Sequence, residues 1–236
     1  MRYWLVMPAA GAGRRFGGVK QFASLNQRTV LELALQPFAD DPDCLGGSIV
    51  LAPAEPRRLE LAARLPPRFE LIDGGAERAH SVSNGLSALT ARAAPEDWVL
   101  VHDAARPCLS AADLARLLAG GEQSGHGALL AIPVADTVKQ AQVRVPGEPT
   151  HCAATLARES LWLAQTPQMF RLGALRAALE QARALGRAPT DEAQAMEWQG
   201  VCAQLIEARD ANIKVTSAAD LLLAQAILRA REGSFR

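Results

Sequence analysis

Apolar runs of strand length alternate along this chain with segments of helical periodicity, and that alternation constrains the fold more than any other feature. Residues 3–7 (YWLVM), 48–52 (SIVLA), 70–73 (ELID), 98–102 (WVLVH) and 129–134 (LLAIPV) read as strands. Residues 29–38, 59–65, 81–93, a leucine-striped stretch opening at Ser110, and residues 221–230 read as helices. WVLVH is apolar at successive positions, the pattern of a strand covered on both faces. In the segment 29–38, Val30, Leu31, Ala34 and Leu35 fall on one helical face. Ser110 with Asp113, and Ser217 with Asp220, have the spacing of reciprocal helix caps. Strands separated by helices are joined by right-handed crossovers. The expectation is an α/β, Rossmann-like sandwich with a mostly parallel sheet and helices on both faces. Ligands of such sheets sit at the carboxyl ends of the strands, so functional residues belong just after strands.

The chain has 236 residues, 49% of them hydrophobic, enough for one large α/β domain, and no linker or repeat interrupts it. Residues 1–236 are therefore read as a single domain. Twenty-five basic side chains balance twenty-five acidic ones. That balance argues against a general nucleic-acid or membrane-surface binder but leaves room for a locally basic pocket. Cys44, Cys108, Cys152 and Cys202 form no C-x-x-C pair and read as reduced thiols. The first apolar run is short and ends in Gly and Arg, a strand pattern rather than a signal peptide, and no apolar stretch has bilayer length. A cytosolic protein is expected.

The strongest local feature is the loop PAAGAGRRFGGVKQF, residues 8–22, between the first strand and the next element. Glycines let backbone N–H groups approach an anion closely and permit positive φ. Arg14, Arg15 and Lys20 add cationic donors for phosphate oxygens. A dinucleotide fingerprint fails because Phe16 stands where a small residue is needed, and a P-loop fails because Val19 and Lys20 replace its Lys and Ser/Thr. A triphosphate cradle remains.

Three further stretches carry candidate chemistry. Asp103 follows the WVLVH strand; it reads either as a Mg²⁺ ligand, of the kind that pairs one carboxylate with substrate phosphates, or as a capping residue salt-bridged to Arg106. In DGGAERAHSV, residues 73–82, two glycines and a helix start at Ser81 offer backbone donors for a nucleobase or ribose; the alternative is a plain Ser cap beside an exposed Arg. In NIKVT, residues 212–216, Lys214 lies in what reads as a short apolar strand, where a lone cation is costly unless its ammonium reaches an anion, a ligand phosphate in the functional reading, or snorkels to solvent. No G-x-S-x-G elbow exists, and His80, His102, His126 and His151 form no triad with a nucleophile. Residues 139–152 break the strand–helix rhythm: Val143 and Val145 alternate with polar residues before a PGEP turn. Of a solvated surface hairpin and a dimerisation arm, the residues alone favour the surface hairpin.

The ordered set PAAGAGRRFGGVKQF, GGAERAHSV, VHDAARP, PVADTVK, TPQMF, TDEA and NIKVT spans the chain and resembles the 2-C-methyl-D-erythritol 4-phosphate cytidylyltransferases of non-mevalonate isoprenoid biosynthesis. The resemblance implies CMP transfer from CTP to 2-C-methyl-D-erythritol 4-phosphate, with Mg²⁺ or another divalent cation. It implies catalytic roles for Arg15, Lys20 and Lys214, and a metal ligand in Asp103. It places Ala10, Gly11, Ala12, Gly13, Gly75, Arg78 and Ser81 around CTP and Ala104 beside its ribose. Arg106, Thr137 and Arg158 would join Lys214 around the acceptor phosphate. It also implies a homodimer in which an arm within about residues 138–160 embraces the partner, with neither nucleic acid nor membrane as a partner.

A phosphate monoester is already anionic, so in-line attack on the α-phosphorus needs neither general base nor enzyme nucleophile, in keeping with the missing triad. Rival expectations are a cytidylyltransferase for another polyol phosphate, a non-catalytic nucleotide-binding regulator, and a nicotinamide-dependent dehydrogenase, the last disfavoured by Phe16.

Overall fold

A computed structural model describes residues 1–11, 13, 16, 18–143 and 147–233. The chain begins with β1 (Tyr3–Pro8), a 3₁₀ turn (Lys20–Phe22), the short strands β2 (Ser24–Leu25) and β3 (Arg28–Thr29), and α1 (Val30–Ala39). There follow β4 (Cys44–Leu51), α2 (Arg58–Arg64), β5 (Phe69–Asp73), α3 (Arg78–Leu89), β6 (Trp98–Val101), α4 (Ala111–Ser124) and β7 (Ala128–Pro133). The last part comprises β8 (Val138–Ala141), β9 (Cys152–Leu156), β10 (Trp162–Arg171), α5 (Leu172–Ala184), α6 (Glu192–Glu197), β11 (Gln204–Glu207) and α7 (Ala218–Gly233).

Among the described residues the central sheet has seven strands in the order β11-β7-β10-β6-β1-β4-β5. Pairings β1–β4, β1–β6, β4–β5 and β11–β7 are parallel. Only β10 runs against its neighbours, β6 and β7. The mostly parallel sheet expected from the alternation is therefore present. The chain winds outward from β1 to β5 and then returns to place β6 on the other side of β1. The strand order reverses there, opening a crevice at the carboxyl ends of β1 and β6.

Side chains of β1 alternate between two cores, as a pleated strand requires. Tyr3, Leu5 and Met7 pack with α1 and α4 residues such as Leu31, Phe38, Leu114 and Leu117. Trp4 and Val6 pack with Val82, Leu86, Leu175 and Leu179 of α3 and α5. Burial on both faces is why the run reads as continuously apolar. A third cluster of Leu25, Val30, Cys108, Val215 and Ala224 anchors α7 beneath the β2–β3 hairpin.

Local chemistry sets the helix starts. Thr29 caps α1: its Oγ1 accepts from Glu32 N–H at 3.1 Å while Glu32 Oε2 accepts from Thr29 N–H at 2.7 Å. The pair Ser217 and Asp220 behaves the same way, and three groups of Thr216 and Ser217 donate to Asp220 Oδ2. At α4 only half of the expected box forms. Ser110 Oγ accepts from Asp113 N–H, but the Asp113 carboxylate turns to the N–H groups of Arg209 and Asp210 and to Arg116. Asp113 is fully buried, and a tertiary demand for an acceptor beside β11 outweighs the local cap.

Other expectations need correction. The segment around Lys214 is not a ladder strand: residues 208–216 form an extended loop with one backbone bond to the β6 turn, Val215 N–H to Ala105 O at 2.8 Å. Its apolar residues are there because Val215 fills the third core. Helix α3 begins at Arg78, not Ser81. The hairpin is present as β8 paired with β9, slightly longer than the segment 139–152; Val145 lies outside the described residues.

The β2–β3 turn places Asn26 at φ +50° and Gln27 at φ +65°. A two-residue hairpin loop of this type favours Asn-Gly, because glycine has no Cβ to crowd the left-handed conformation. Gln27→Gly is expected to raise stability by about 1 kcal/mol, the steric cost of a left-handed non-glycine residue. Urea unfolding of the two proteins checks it, an unchanged or lower midpoint counting against this account.

Candidate active site

The loops that follow β1, β5 and β6 and the 208–216 loop meet in a cleft of about 190 Å³. Its lining includes Ala10, Gly11, Lys20, Gln21, Gly75, Arg78, Ser81, Asp103, Ala104 and Lys214. Residues separated by nearly the whole chain length thus share one cavity at the crevice that the strand order dictates.

Each wall has a local reason for its shape. Gln21 is buried, and its Nε2 donates to Ala9 O at 2.5 Å and Gly11 O at 3.1 Å, tying the start of the Gly-rich loop to the 3₁₀ turn that carries Lys20. Gly13 sits at φ +61°, and a Cβ there would lie 2.0 Å from Gly18 O, so the loop closes only with glycine. Arg14, Arg15 and Ala12 of this loop lie outside the described residues. Across the cleft Ser81 Oγ accepts from Gly75 N–H at 3.1 Å and donates to Glu77 O at 3.2 Å. Ser81 thus shapes the glycine turn from inside α3 rather than capping a helix.

At the floor lies Asp103, only 6% exposed. Lys214 Nζ stands 2.6 Å from Asp103 Oδ2. Arg78 reaches Oδ1 through Nε at 3.1 Å and Nη2 at 3.0 Å. The same guanidinium grips Glu192 in two bonds, Nη1–Oε1 at 2.6 Å and Nη2–Oε2 at 3.0 Å. The ammonium of Lys214 therefore reaches an anion within the protein, Asp103, from a side chain that is partly exposed to solvent. The alternative reading, an Arg106–Asp103 salt bridge, does not hold: Arg106 Nη1 donates to Asn212 O instead, and its Nε is buried without a partner among the described residues. Burial works against the Asp103 charge, but Arg78 and Lys214 outweigh it and hold the carboxyl well below the usual carboxylate range. Burial opposes the Arg78 charge too, and Glu192 and Asp103 more than offset it.

The backbone of Asp103 is fixed by a directional hydrogen-bond chain. Arg106 O can only accept, so neutral His102 carries its proton on Nε2 and donates there at 3.2 Å; its Nδ1 then accepts from Thr166 Oγ1, 3.1 Å away, and Thr166 Oγ1 in turn accepts from Asp103 N–H at 3.0 Å. His102 is fully buried, and desolvation pushes its pKa down to about 4. It is a neutral structural link, consistent with the lack of a catalytic triad.

Thr137 and Arg158 stand apart from the cleft. Both are exposed at the base of the β8–β9 arm, where Arg158 Nη1 donates to Ala135 O. The arm also exposes Val143 and Leu156. Sequence reasoning assigned nothing to Gln21, Thr166, Glu192 or Asn212, although each lies inside a quoted motif.

The donor set bears on whether a divalent cation fits. Among the described residues no group of three or more His, Cys, Asp or Glu side chains converges. Among the described residues that line the cleft, Asp103 and Glu77 are the carboxylates; Asp103 lies at the floor, with lone pairs left beyond those used by Arg78 and Lys214. That set suits an ion held chiefly by ligand phosphates and water, as Mg²⁺ prefers, and not a cage built by the protein alone.

Residues 3–230 match the sequence family described as 2-C-methyl-D-erythritol 4-phosphate cytidylyltransferase. A protein of that name from Acidithiobacillus ferrooxidans is 49% identical over 98% of both chains. One from Ectopseudomonas mendocina is 47% identical over 93% of both. The crystal structure of the Francisella tularensis 2-C-methyl-D-erythritol 4-phosphate cytidylyltransferase superposes with a TM-score of 0.79 at 33% identity, covering 96% of this chain and all of that one.

A buried neutral histidine makes stability depend on pH. Its folded pKa lies below the unfolded value of 6.5, so its contribution is complete above pH 6.5 and is lost as pH falls towards about 4, where the unfolded chain alone binds the proton. This one group is expected to remove about 3 kcal/mol of stability across that window. In His102→Asn that part of the slope should vanish. Urea unfolding at pH 7, 6 and 5 measures it, and parallel slopes for the two proteins would contradict the assignment.

Proposed function

This chain belongs to the 2-C-methyl-D-erythritol 4-phosphate cytidylyltransferase family, and we propose that the cleft between β1 and β6 is its catalytic centre, working by charge neutralisation and alignment alone. The enzyme transfers CMP from CTP to 2-C-methyl-D-erythritol 4-phosphate, giving 4-diphosphocytidyl-2-C-methyl-D-erythritol and diphosphate, the CTP-dependent step of the non-mevalonate isoprenoid pathway. The observation that carries the site assignment is the meeting of Lys20, Asp103 and Lys214 in one cavity.

In this reading the Gly-rich loop, with Ala12 and Gly13, receives the triphosphate, Arg15 and Lys20 supply positive charge to it, and Ala10 and Gly11 at its start contact the cytidine. Gly75, Arg78 and Ser81 shape the wall against which the cytidine rests, with Ala104 beside the ribose. A bound Mg²⁺ or other divalent cation would be held by Asp103 and phosphate oxygens and would supply further neutralisation of the triphosphate. The acceptor phosphate oxygen attacks the α-phosphorus in line, a new P–O bond forming as the bond to diphosphate breaks. Charge grows on the α-phosphoryl oxygens and the leaving diphosphate, and preorganised cations stabilise it.

Lys214 serves in both states of the site. Before substrates bind, its ammonium is neutralised by Asp103; once phosphates arrive it can turn to them, because its side chain is 40% exposed while the carboxylate is nearly enclosed. Arg106 supports the acceptor assignment by its cost: burial lowers its pKa, and among the described residues no carboxylate pairs with it directly and its Nε is unsatisfied. An anion beside it would relieve all three.

Thr137 and Arg158 lie outside this cleft on an exposed arm with apolar residues at its surface. The same proposal places them in the acceptor site of a partner subunit, so that the working unit is a homodimer and the chain is one domain plus arm. Four free cysteines, and the absence of a membrane-spanning helix among the described residues, support a cytosolic setting.

Lys20→Ala and Lys214→Ala should each lower turnover by on the order of 10²–10³ with the fold retained. Diphosphate release from CTP, with a panel of polyol phosphates as acceptors and circular dichroism as the folding control, reads both the loss and the acceptor. Turnover near wild type in either folded variant would remove that lysine from the mechanism. Mixing inactive Lys214→Ala with inactive Arg158→Ala should restore roughly a quarter of wild-type activity, since half of the randomly reassorted dimers then carry one intact site. No recovery after verified subunit exchange would place Arg158 in its own subunit's site.

A further inference from the structure

Two stretches, TPQMF and TDEA, have no part in substrate contact as described above, yet both converge behind Asp103. Register explains the first. Strand β10 pairs antiparallel with β6 so that Gln168 faces Val101, which carries Thr166 to the position of Asp103 just beyond the end of β6. Two residues on, Gln168 is buried and holds α6: its Nε2 donates to Asp191 Oδ2 at 2.9 Å and its Oε1 accepts from Ala193 N–H at 2.8 Å. Asp191 caps the same helix through Gln194 N–H at 2.9 Å. Glu192, between Asp191 and Ala193, is thereby fixed at both flanks, and β10 holds the backbone of Asp103 and the backbone around Glu192 at once.

A carboxylate as enclosed as Glu192, 1% exposed, is costly unless its charge is met in full. It meets Arg78 in a two-bond pair, and the planar guanidinium transmits that constraint rigidly to its remaining edge. That edge, Nε with Nη2, contacts Asp103 Oδ1. Glu192 does not line the cleft, whereas Arg78 and Asp103 do.

We infer that Glu192 is a positioning residue: by holding Arg78 in a two-bond grip it limits Arg78 to one oxygen of Asp103 and leaves the rest of that carboxylate for Lys214 and the ligands of the cleft. Without the Glu192 charge the two-bond grip on the Nη groups is lost, Nη2 keeping only its contact with Asp103 Oδ1, and the guanidinium re-aims its fork at both oxygens of Asp103. The carboxylate is then occupied, and Lys214 is displaced from its resting contact. This inference rests on the reading of Asp103 as the carboxylate of the site.

The test uses the full-length enzyme. Glu192→Gln keeps the shape and removes the charge; Glu192→Asp keeps the charge on a shorter stem. Glu192→Gln is expected to lower kcat on the order of 10–100-fold, the usual scale for a group supporting a ligating residue, and Glu192→Asp to recover part of it. Calorimetric titration with CTP and Mg²⁺, without acceptor, should show weakened binding in Glu192→Gln. In an Arg78→Met background, Glu192→Gln should cause no further loss of kcat, because its influence passes through Arg78. Unchanged kcat and CTP binding in folded Glu192→Gln would overturn the proposal, as would losses that multiply undiminished in the Arg78→Met background. If Glu192→Gln fails to fold, Glu192→Asp decides by the same two readouts, wild-type values for both overturning it. Asp103→Asn separates the two levels: full activity in that variant sinks the site assignment itself, whereas an inactive Asp103→Asn beside a fully active Glu192→Gln sinks only the role of Glu192.

Discussion

A carboxylate almost without access to water cannot remain charged unless cations come to it, and Asp103 is held in that condition by Arg78 and Lys214. Much of the local structure follows from this demand. Arg78 opens α3, so α3 must begin where its first turn overlooks β6. Lys214 lies on a loop that leaves the sheet and is tied to the β6 turn through Val215 and Ala105. Glu192 balances the excess of positive charge from behind, on a six-residue helix that packs against α5. The cluster that looks designed for a ligand is also a self-consistent electrostatic unit before any ligand arrives.

Function and fold meet in that double use. Preorganised cations accelerate phosphoryl chemistry because their desolvation and orientation costs are met during folding, not at the moment of reaction. Here the costs are offset by internal carboxylates: Asp103 for Lys214, and Asp103 with Glu192 for Arg78. Arg106 is the exception: among the described residues it has no direct ion pair, and its Nε is buried without a partner. The hydrogen-bond chain from Asp103 N–H through Thr166 to neutral His102 fixes the backbone without adding charge to an already crowded floor.

The elements most legible in the residues were those for which local and tertiary demands agree. Strands β1 and β6 lie between two helical layers, and burial on both faces writes itself as an uninterrupted apolar run. Helix α1 has both a one-sided apolar stripe and a complete cap at Thr29 and Glu32. Strand β10 was not legible, since Gln165, Thr166 and Gln168 are polar yet buried, serving loops and helices far away in sequence. The apolar residues of the 212–216 segment suggested a strand, but Val215 is apolar because it fills a small core, not because it pairs in a ladder. Asp113 misled in the same way: its spacing from Ser110 fits a capping box, while its carboxylate answers two N–H groups nearly a hundred residues away.

By itself the sequence determined the layered α/β architecture, the Gly-rich turn after the first strand, and the cations and carboxylate available for phosphate chemistry, because periodicity, glycine placement and residue type are local properties. The tertiary structure alone decided which charges are neighbours. It paired Asp103 with Arg78 and Lys214 instead of the sequence-adjacent Arg106, moved Ser81 from helix cap to turn support, and set Glu192 behind Arg78. The physical reason is that ion pairing in a buried site depends on distances of a few ångströms between side chains brought together by strand order and register, and neither is encoded by the spacing of residues along any one segment.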